Sequence, residues 1–154
     1  MQWLIDFVTN PYIVVGVSSW ALAQVAKMII YWVVNKKLDI WRLFGDGGMP
    51  SGHSATVASL AAACAYLHGF GSFQFAISFV LAIIVCHDAS GVRLETGKQT
   101  LVINELAALI EKIADHKISD EVKLKEFVGH TSTQVIVGVL LGILNAVILC
   151  RFFF

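Results

Sequence analysis

Four apolar runs alternate with polar loops along the chain, and this pattern predicts membrane-spanning helices. The runs cover residues 11–34, 54–67, 73–86 and 135–154. A bilayer core of about 30 Å requires about 20 mostly apolar residues in helical form. The second run is short and rich in Ala and Ser, so we expect its ends to extend into the flanking loop or to lie buried in protein. The fold class predicted is all-α, an integral membrane helical bundle with about four transmembrane helices.

A further helix is predicted in the polar stretch between the third and fourth runs. Residues 100–115 place apolar side chains at the spacing of one helix face: Leu101, Leu106, Leu109, Ile110 and Ile113. Such an amphipathic helix is expected to lie on the cytoplasmic membrane surface or against the bundle.

Composition supports the membrane assignment. The chain has 154 residues, of which 57% are hydrophobic and 14% charged, against roughly 45–50% and 25% in ordinary soluble domains. A small domain has too little interior to hide so many apolar side chains from water, which excludes a soluble enzyme, a disordered tail and a secreted disulfide scaffold. Residues 1–154 are expected to form a single membrane-embedded domain, and the zero net charge gives no indication of a nucleic-acid partner.

The distribution of Lys and Arg predicts the orientation in the cell membrane. Residues 1–10 and 68–72 carry none, whereas the loops at 35–53 and 88–134 carry most of them. Because positively charged loops stay in the cytoplasm, we expect both long loops inside and both termini outside.

The loop before the second run carries the first candidate motif, Gly-Gly-Met-Pro-Ser-Gly-His-Ser-Ala. Ser51 is a suitable helix N-cap, and Gly52 lets the backbone approach a ligand closely. His53 can transfer a proton near neutral pH. A helix start with these residues can bind an anion, although a Gly-rich turn with a surface histidine is the simpler alternative.

A second Gly-His pair precedes the last run, at His130, on the same predicted membrane face. A zinc site is the rival interpretation, but no third or fourth ligand stands at a recognisable spacing, and no metal or cofactor is expected. Lys27, inside the first run, requires an anionic partner or a watery cavity. Arg93 can hold phosphate oxygens in a bidentate fork, or can extend to the lipid headgroups instead. Together these residues predict a site that handles phosphate.

Pro50-Ser51-Gly52-His53 resembles the second signature of the type-2 phosphatidic acid phosphatases, which are related to vanadium haloperoxidases. GGMPSGHSA, then Asp88 and Arg93 in a D-x4-R pattern, then KEFVGHTSTQVIVG resemble a divergent branch of that superfamily over nearly the whole chain. The resemblance implies that His130 is the nucleophile, forming a phosphohistidine, and that His53 is the general acid.

The resemblance also implies a set of phosphate-binding residues. These residues would be Lys27, Ser51, Gly52, Arg93 and Lys125. Near the predicted nucleophile, however, the chain departs from the superfamily's pattern. The superfamily has a carboxylate four residues after the nucleophile, where this chain has Gln134. That carboxylate orients the histidine and stabilises its charged form. We expect Asp88 to supply the missing charge, with Gln134 as a hydrogen-bond acceptor behind His130.

The function that the resemblance implies is hydrolysis of a lipid phosphomonoester, of the phosphatidylglycerol phosphate or phosphatidic acid type, at the cytoplasmic leaflet. The alternative is a non-catalytic lipid-binding or scaffold protein on a degenerate phosphatase site. The partners expected are a lipid phosphate and the bilayer. Gly138 and Gly142 form a GxxxG pair that suits close helix packing, which leaves a homo-oligomer open.

Overall fold

The computed structural model describes residues 1–36, 48–114 and 131–154, and within these ranges it contains six helices and no strand. The helices are α1 (Gln2–Val8), α2 (Pro11–Asn35), α3 (Gly52–His68), α4 (Phe73–Ser90), α5 (Val92–Ala114) and α6 (Ser132–Phe152). Three helical segments in the described part are long and apolar enough to cross a membrane: Pro11–Asn35, Phe73–Ile113 and Ser132–Phe152. The predicted all-α membrane bundle is confirmed.

Helix α3 is the centre of the bundle and packs against α2, α4 and α6. Its 17 residues make a helix only about 25 Å long, which is shorter than the bilayer core. Small side chains on several faces are buried, among them Ser54, Ala55 and Ala58. The expectation for the short second run is therefore confirmed, since the helix extends beyond 54–67 at both ends and its small side chains are buried against its neighbours.

The closest helix contact joins α3 to the glycines of α6. A Cβ atom added at Gly138 would lie 2.5 Å from the Ser51 carbonyl oxygen, and one at Gly142 would lie 2.2 Å from the Ala55 carbonyl oxygen. No side chain fits at either position, so the backbones touch. The GxxxG pair is thus used inside the molecule, and a homo-oligomer would have to form through another surface.

A polar contact inside the bundle joins α6 to α2. The side-chain amide of Asn145 donates to the hydroxyl oxygens of Ser18 (2.9 Å) and Ser19 (2.8 Å). Hydrogen bonds of this kind help to hold helices together in lipid, where an unpaired amide has no water to bind. The contact fixes the rotation of α2 relative to α6.

The helix ends differ in places from the sequence-based boundaries. Helix α1 was not predicted, and α5 begins eight residues before the expected position 100. The apolar face of α5 is exposed, from Leu101 to Ile113, as expected for a helix that lies against a membrane surface. At the end of the bundle where α2 begins and α3 ends, the Tyr12 hydroxyl and the His68 ring are hydrogen-bonded and stacked.

We predict that Gly142→Ala lowers the free energy of unfolding by about 1–3 kcal/mol, because the added methyl group overpacks the contact with α3. Gly71→Ala is the matched control, since a Cβ there has no atom within 4 Å. Thermal unfolding in detergent measures both, and equal stability of the two variants would contradict the close contact.

Candidate functional site

A backbone hydrogen bond joins the start of α3, which carries the first Gly-His motif, to the start of α6. The Ser51 N–H donates to the Gln134 carbonyl oxygen at 2.9 Å, so the first turn of α6 lies beside the residue that precedes α3. Pro50 and Ser51 are fully buried at this junction. The bond places the beginning of the last helix next to the Pro-Ser-Gly-His motif, as the phosphate-site hypothesis requires.

Ser51 is the N-cap of α3, as predicted. Its Oγ accepts hydrogen bonds from the Ser54 backbone N–H at 3.3 Å and from the Ser54 hydroxyl at 3.0 Å. The extended backbone at Ser51, with φ −70° and ψ 116°, turns the chain into the helix. Because an N-cap satisfies only part of the first turn, other N–H groups there remain directed along the helix axis.

Lys27 reaches this helix start from α2, although only 8% of its surface is exposed. Its Nζ lies 3.9 Å from the position that a Cβ of Gly52 would occupy, and its Cγ lies 4.0 Å from the corresponding position at Gly48. The Trp20 ring lies 3.4 Å from the same Gly52 position. Glycine at position 52 therefore leaves room between the ammonium group and the α3 backbone.

His53 follows Gly52 at this helix start. It is exposed and lines a groove of about 390 Å³ with residues of α2, α3 and α4: Gly16, Val17, Trp20, Thr56, Val57 and Val85. In the described part, α2 and α4 do not pack against each other. The groove therefore lies between these two helices.

Asp88 lies in the last turn of α4 and is half-buried. It stands three residues after Val85, and residues at this spacing are neighbours on one side of a helix. Asp88 is therefore on the side of α4 that lines the groove containing His53. Arg93 is the second residue of α5. The break between α4 and α5 at Gly91 separates it from Asp88 along the chain.

Gln134 has a structural contact that the sequence analysis missed. Its Oε1 accepts a hydrogen bond from the Thr131 backbone N–H at 3.1 Å, which completes a capping box at the start of α6. The pattern Thr-x-x-Gln before an apolar run is the sequence signature of this motif and was available to find it. The side-chain oxygen of Gln134, which was expected to lie behind His130, thus caps α6.

His130 and Lys125 lie outside the described residues. Thr131, which follows His130 in sequence, is the N-cap of α6. The described site thus unites Lys27, Ser51 and Gly52 with the first turn of α6.

The described arrangement can bind an oxyanion. A buried ammonium group and the positive end of the α3 dipole converge on Gly52, and both favour negative charge. Within the described residues, no three His, Cys, Asp or Glu side chains lie close enough together to hold a metal ion. The chemistry that these residues offer is hydrogen bonding and charge, with an imidazole nearby for proton transfer.

Comparisons with known proteins agree with the motif resemblance. Residues 8–145 match a family model described as "Divergent PAP2 family". The chain is similar to the uncharacterized membrane protein YuiD of Bacillus subtilis (strain 168), with 36% identity over 156 residues, which cover 96% of this chain and 99% of that protein. No solved structure matches the chain significantly.

We predict that orthovanadate raises the melting temperature of the purified protein and that Lys27→Met removes this stabilisation. A ligand that binds the folded state at about 100 times its Kd stabilises it by about 2.7 kcal/mol. Lys112→Met, at an exposed position of α5, is the control and should respond as the unmodified chain does. An unchanged vanadate response in Lys27→Met would show that Lys27 does not hold the anion.

Proposed function

This chain belongs to the divergent PAP2 family, and we propose that it is a metal-independent lipid phosphate phosphatase embedded in the membrane. It hydrolyses a phosphomonoester, of the phosphatidylglycerol phosphate or phosphatidic acid type, through a phosphohistidine intermediate. The observation that carries the proposal is the approach of the buried Lys27 ammonium group to the start of α3 at Gly52. A cation beside the start of a helix, where the helix dipole is positive, favours a bound anion, and a phosphate group is such an anion.

In the proposed reaction, His130 attacks the phosphorus atom and displaces the lipid alcohol. His53 gives its proton to the leaving oxygen. A water molecule then attacks the phosphohistidine, returns a proton to His53 and releases inorganic phosphate. Lys27 and the N–H groups at the start of α3 stabilise the charge on the equatorial oxygens.

The remaining site residues are proposed to supply charge, to shape the phosphate cradle or to position the catalytic residues. Asp88 stabilises a positively charged imidazole, and its place on the groove side of α4 makes His53 one candidate for that interaction. Ser51 and Gly52 shape the phosphate cradle, while Arg93 and Lys125 add positive charge. Gln134 acts indirectly, because it caps the helix that begins two residues after His130.

The groove beside His53 supports a lipid substrate. Its lining is mostly apolar and it opens between α2 and α4, so the substrate's hydrocarbon chains can stay in the bilayer while the phosphate reaches Lys27. The leaving oxygen, which joins the phosphate to the lipid, then lies on the side where His53 stands.

The capping role of Gln134 favours a second candidate function. A phosphatase of this superfamily is expected to have a carboxylate at that position, and here the side chain is used to cap α6. A non-catalytic lipid-binding or scaffold protein would retain the anion site without this charge. The two candidates differ in turnover, which the next experiment measures.

We predict that the purified protein releases phosphate from lipid phosphomonoesters and that His130→Ala abolishes the release. His53→Ala should lower the rate by about 10²–10⁴-fold, the usual contribution of a general acid. The loss in His53→Ala should be much smaller with p-nitrophenyl phosphate, whose leaving group needs no proton. His68→Ala, at the other end of α3, is the control and should retain activity.

Labelling with ³²P distinguishes the candidates further. An acid-labile phosphohistidine should accumulate briefly in the unmodified chain and be absent in His130→Ala. Lipid phosphate binding without turnover, unchanged in His130→Ala, would instead identify a binding protein.

We also propose that the site faces the cytoplasm, with both termini outside. A cysteine introduced at position 40 should react with a membrane-impermeant maleimide only when the inner face is opened. A cysteine at position 71, in the loop between α3 and α4, is the matched control and should react on intact cells. The reverse pattern would invert the proposed orientation.

A further inference from the structure

We propose that Gln24 recognises a hydroxyl group on the headgroup of the lipid phosphate, and so selects substrates whose phosphate is carried by a polyol such as glycerol. This inference rests on the proposed function and assigns a specificity residue to the same site. Gln24 belongs to none of the motifs that carry the family resemblance.

The observation that supports this inference is that a buried hydrogen-bond acceptor, the Oε1 atom of Gln24, has no donor in the described part of the chain. Gln24 is only 7% exposed, and no donor in the described part of the chain reaches its Oε1 atom. Buried side-chain oxygens in folded proteins are nearly always hydrogen-bonded, so each exception calls for an explanation. A ligand that brings its own donor is one that fits a site of this kind.

The position of Gln24 on α2 places it between Trp20 and Lys27, the two residues of this helix that approach Gly52. It stands four residues after Trp20 and three before Lys27, and residues at these spacings are neighbours on one side of a helix. Trp20 lines the His53 groove and approaches Gly52, which Lys27 also approaches. Along the helix axis, Gln24 is about 6 Å from Trp20 and about 4.5 Å from Lys27, at 1.5 Å per residue.

The chemistry of the acceptor indicates the ligand. The Lys27 ammonium group and the backbone N–H groups at the start of α3 are donors, and they match the oxygens of a phosphate dianion. The Gln24 carbonyl oxygen is an acceptor and finds no proton on that dianion. It matches a hydroxyl group, which a glycerol headgroup carries and the phosphate of phosphatidic acid does not.

The test compares two substrates that differ in this hydroxyl alone. One is phosphatidylglycerol phosphate, and the other is its analogue with propane-1,3-diol in place of the headgroup glycerol, both in mixed micelles. The unmodified chain should have a kcat/KM about 5- to 100-fold higher for the hydroxyl-bearing substrate, since a site built for a hydroxyl rejects the analogue that lacks it.

Gln24→Met, which has nearly the same volume and no acceptor, should bring that ratio close to one, chiefly by lowering kcat/KM for the hydroxyl-bearing lipid. Its melting temperature should be unchanged or higher, because removing an unpaired buried carbonyl costs the fold nothing. Gln74→Met, at an exposed position of α4, should keep the ratio of the unmodified chain.

Three results would overturn the inference. The first is a ratio near one in the unmodified chain. The second is an equal loss for both substrates in Gln24→Met, as expected if the amide nitrogen held the phosphate. The third is a lower melting temperature in Gln24→Met with an unchanged ratio, as expected of a purely structural residue.

Failure of the proposed function gives a different result. If the chain hydrolyses neither lipid, catalysis is refuted, and the comparison is repeated by equilibrium binding of the same two lipids. Tighter binding of the hydroxyl-bearing lipid that Gln24→Met removes would then support the recognition role in a non-catalytic protein. Equal binding of both lipids would overturn it.

Discussion

The backbone contact between α3 and α6 is the constraint on which the rest of the site depends. Because Gly138 and Gly142 have no side chains, the N-terminal half of α6 lies directly on Ser51 and Ala55, and the Ser51 N–H can reach the Gln134 carbonyl oxygen. A larger residue at either glycine would separate the helices. The start of α3, where Lys27 arrives from α2, is therefore positioned by packing rather than by charge.

The same contact explains how a short helix can belong to a membrane bundle. Helix α3 is shorter than the bilayer core is thick, yet its small side chains let three neighbours approach it closely. In lipid, packing of small residues takes over part of the role that the hydrophobic effect has in water. A helix that begins inside the protein can direct unpaired N–H groups at a ligand below the membrane surface, which an ordinary spanning helix cannot do.

Stability and binding oppose each other along α2. Asn145 satisfies its amide with Ser18 and Ser19 and stabilises the bundle. Farther along α2, the buried Oε1 atom of Gln24 has no donor in the described part of the chain, and such a group is costly for the fold to hold. Functional sites often contain such groups, because binding sites are selected for recognition at the expense of stability. On α2, the part around Ser18 and Ser19 thus stabilises the bundle, and the part around Gln24 belongs to the candidate site.

The sequence by itself determined the helical class, the approximate spans, the cap at Ser51 and the set of residues suited to phosphate, because hydrophobic period and capping chemistry are local properties. The resemblance predicted Gln134 behind His130, whereas its side chain caps α6, although the Thr-x-x-Gln capping pattern is present in the sequence. Only the tertiary structure decided that the glycine pair faces α3, that Lys27 meets Gly52 and that Gln24 has no donor in the described part. These facts depend on how α2 and α6 are rotated about their axes, and that rotation is set by contacts between residues more than a hundred positions apart, such as Asn145 with Ser19.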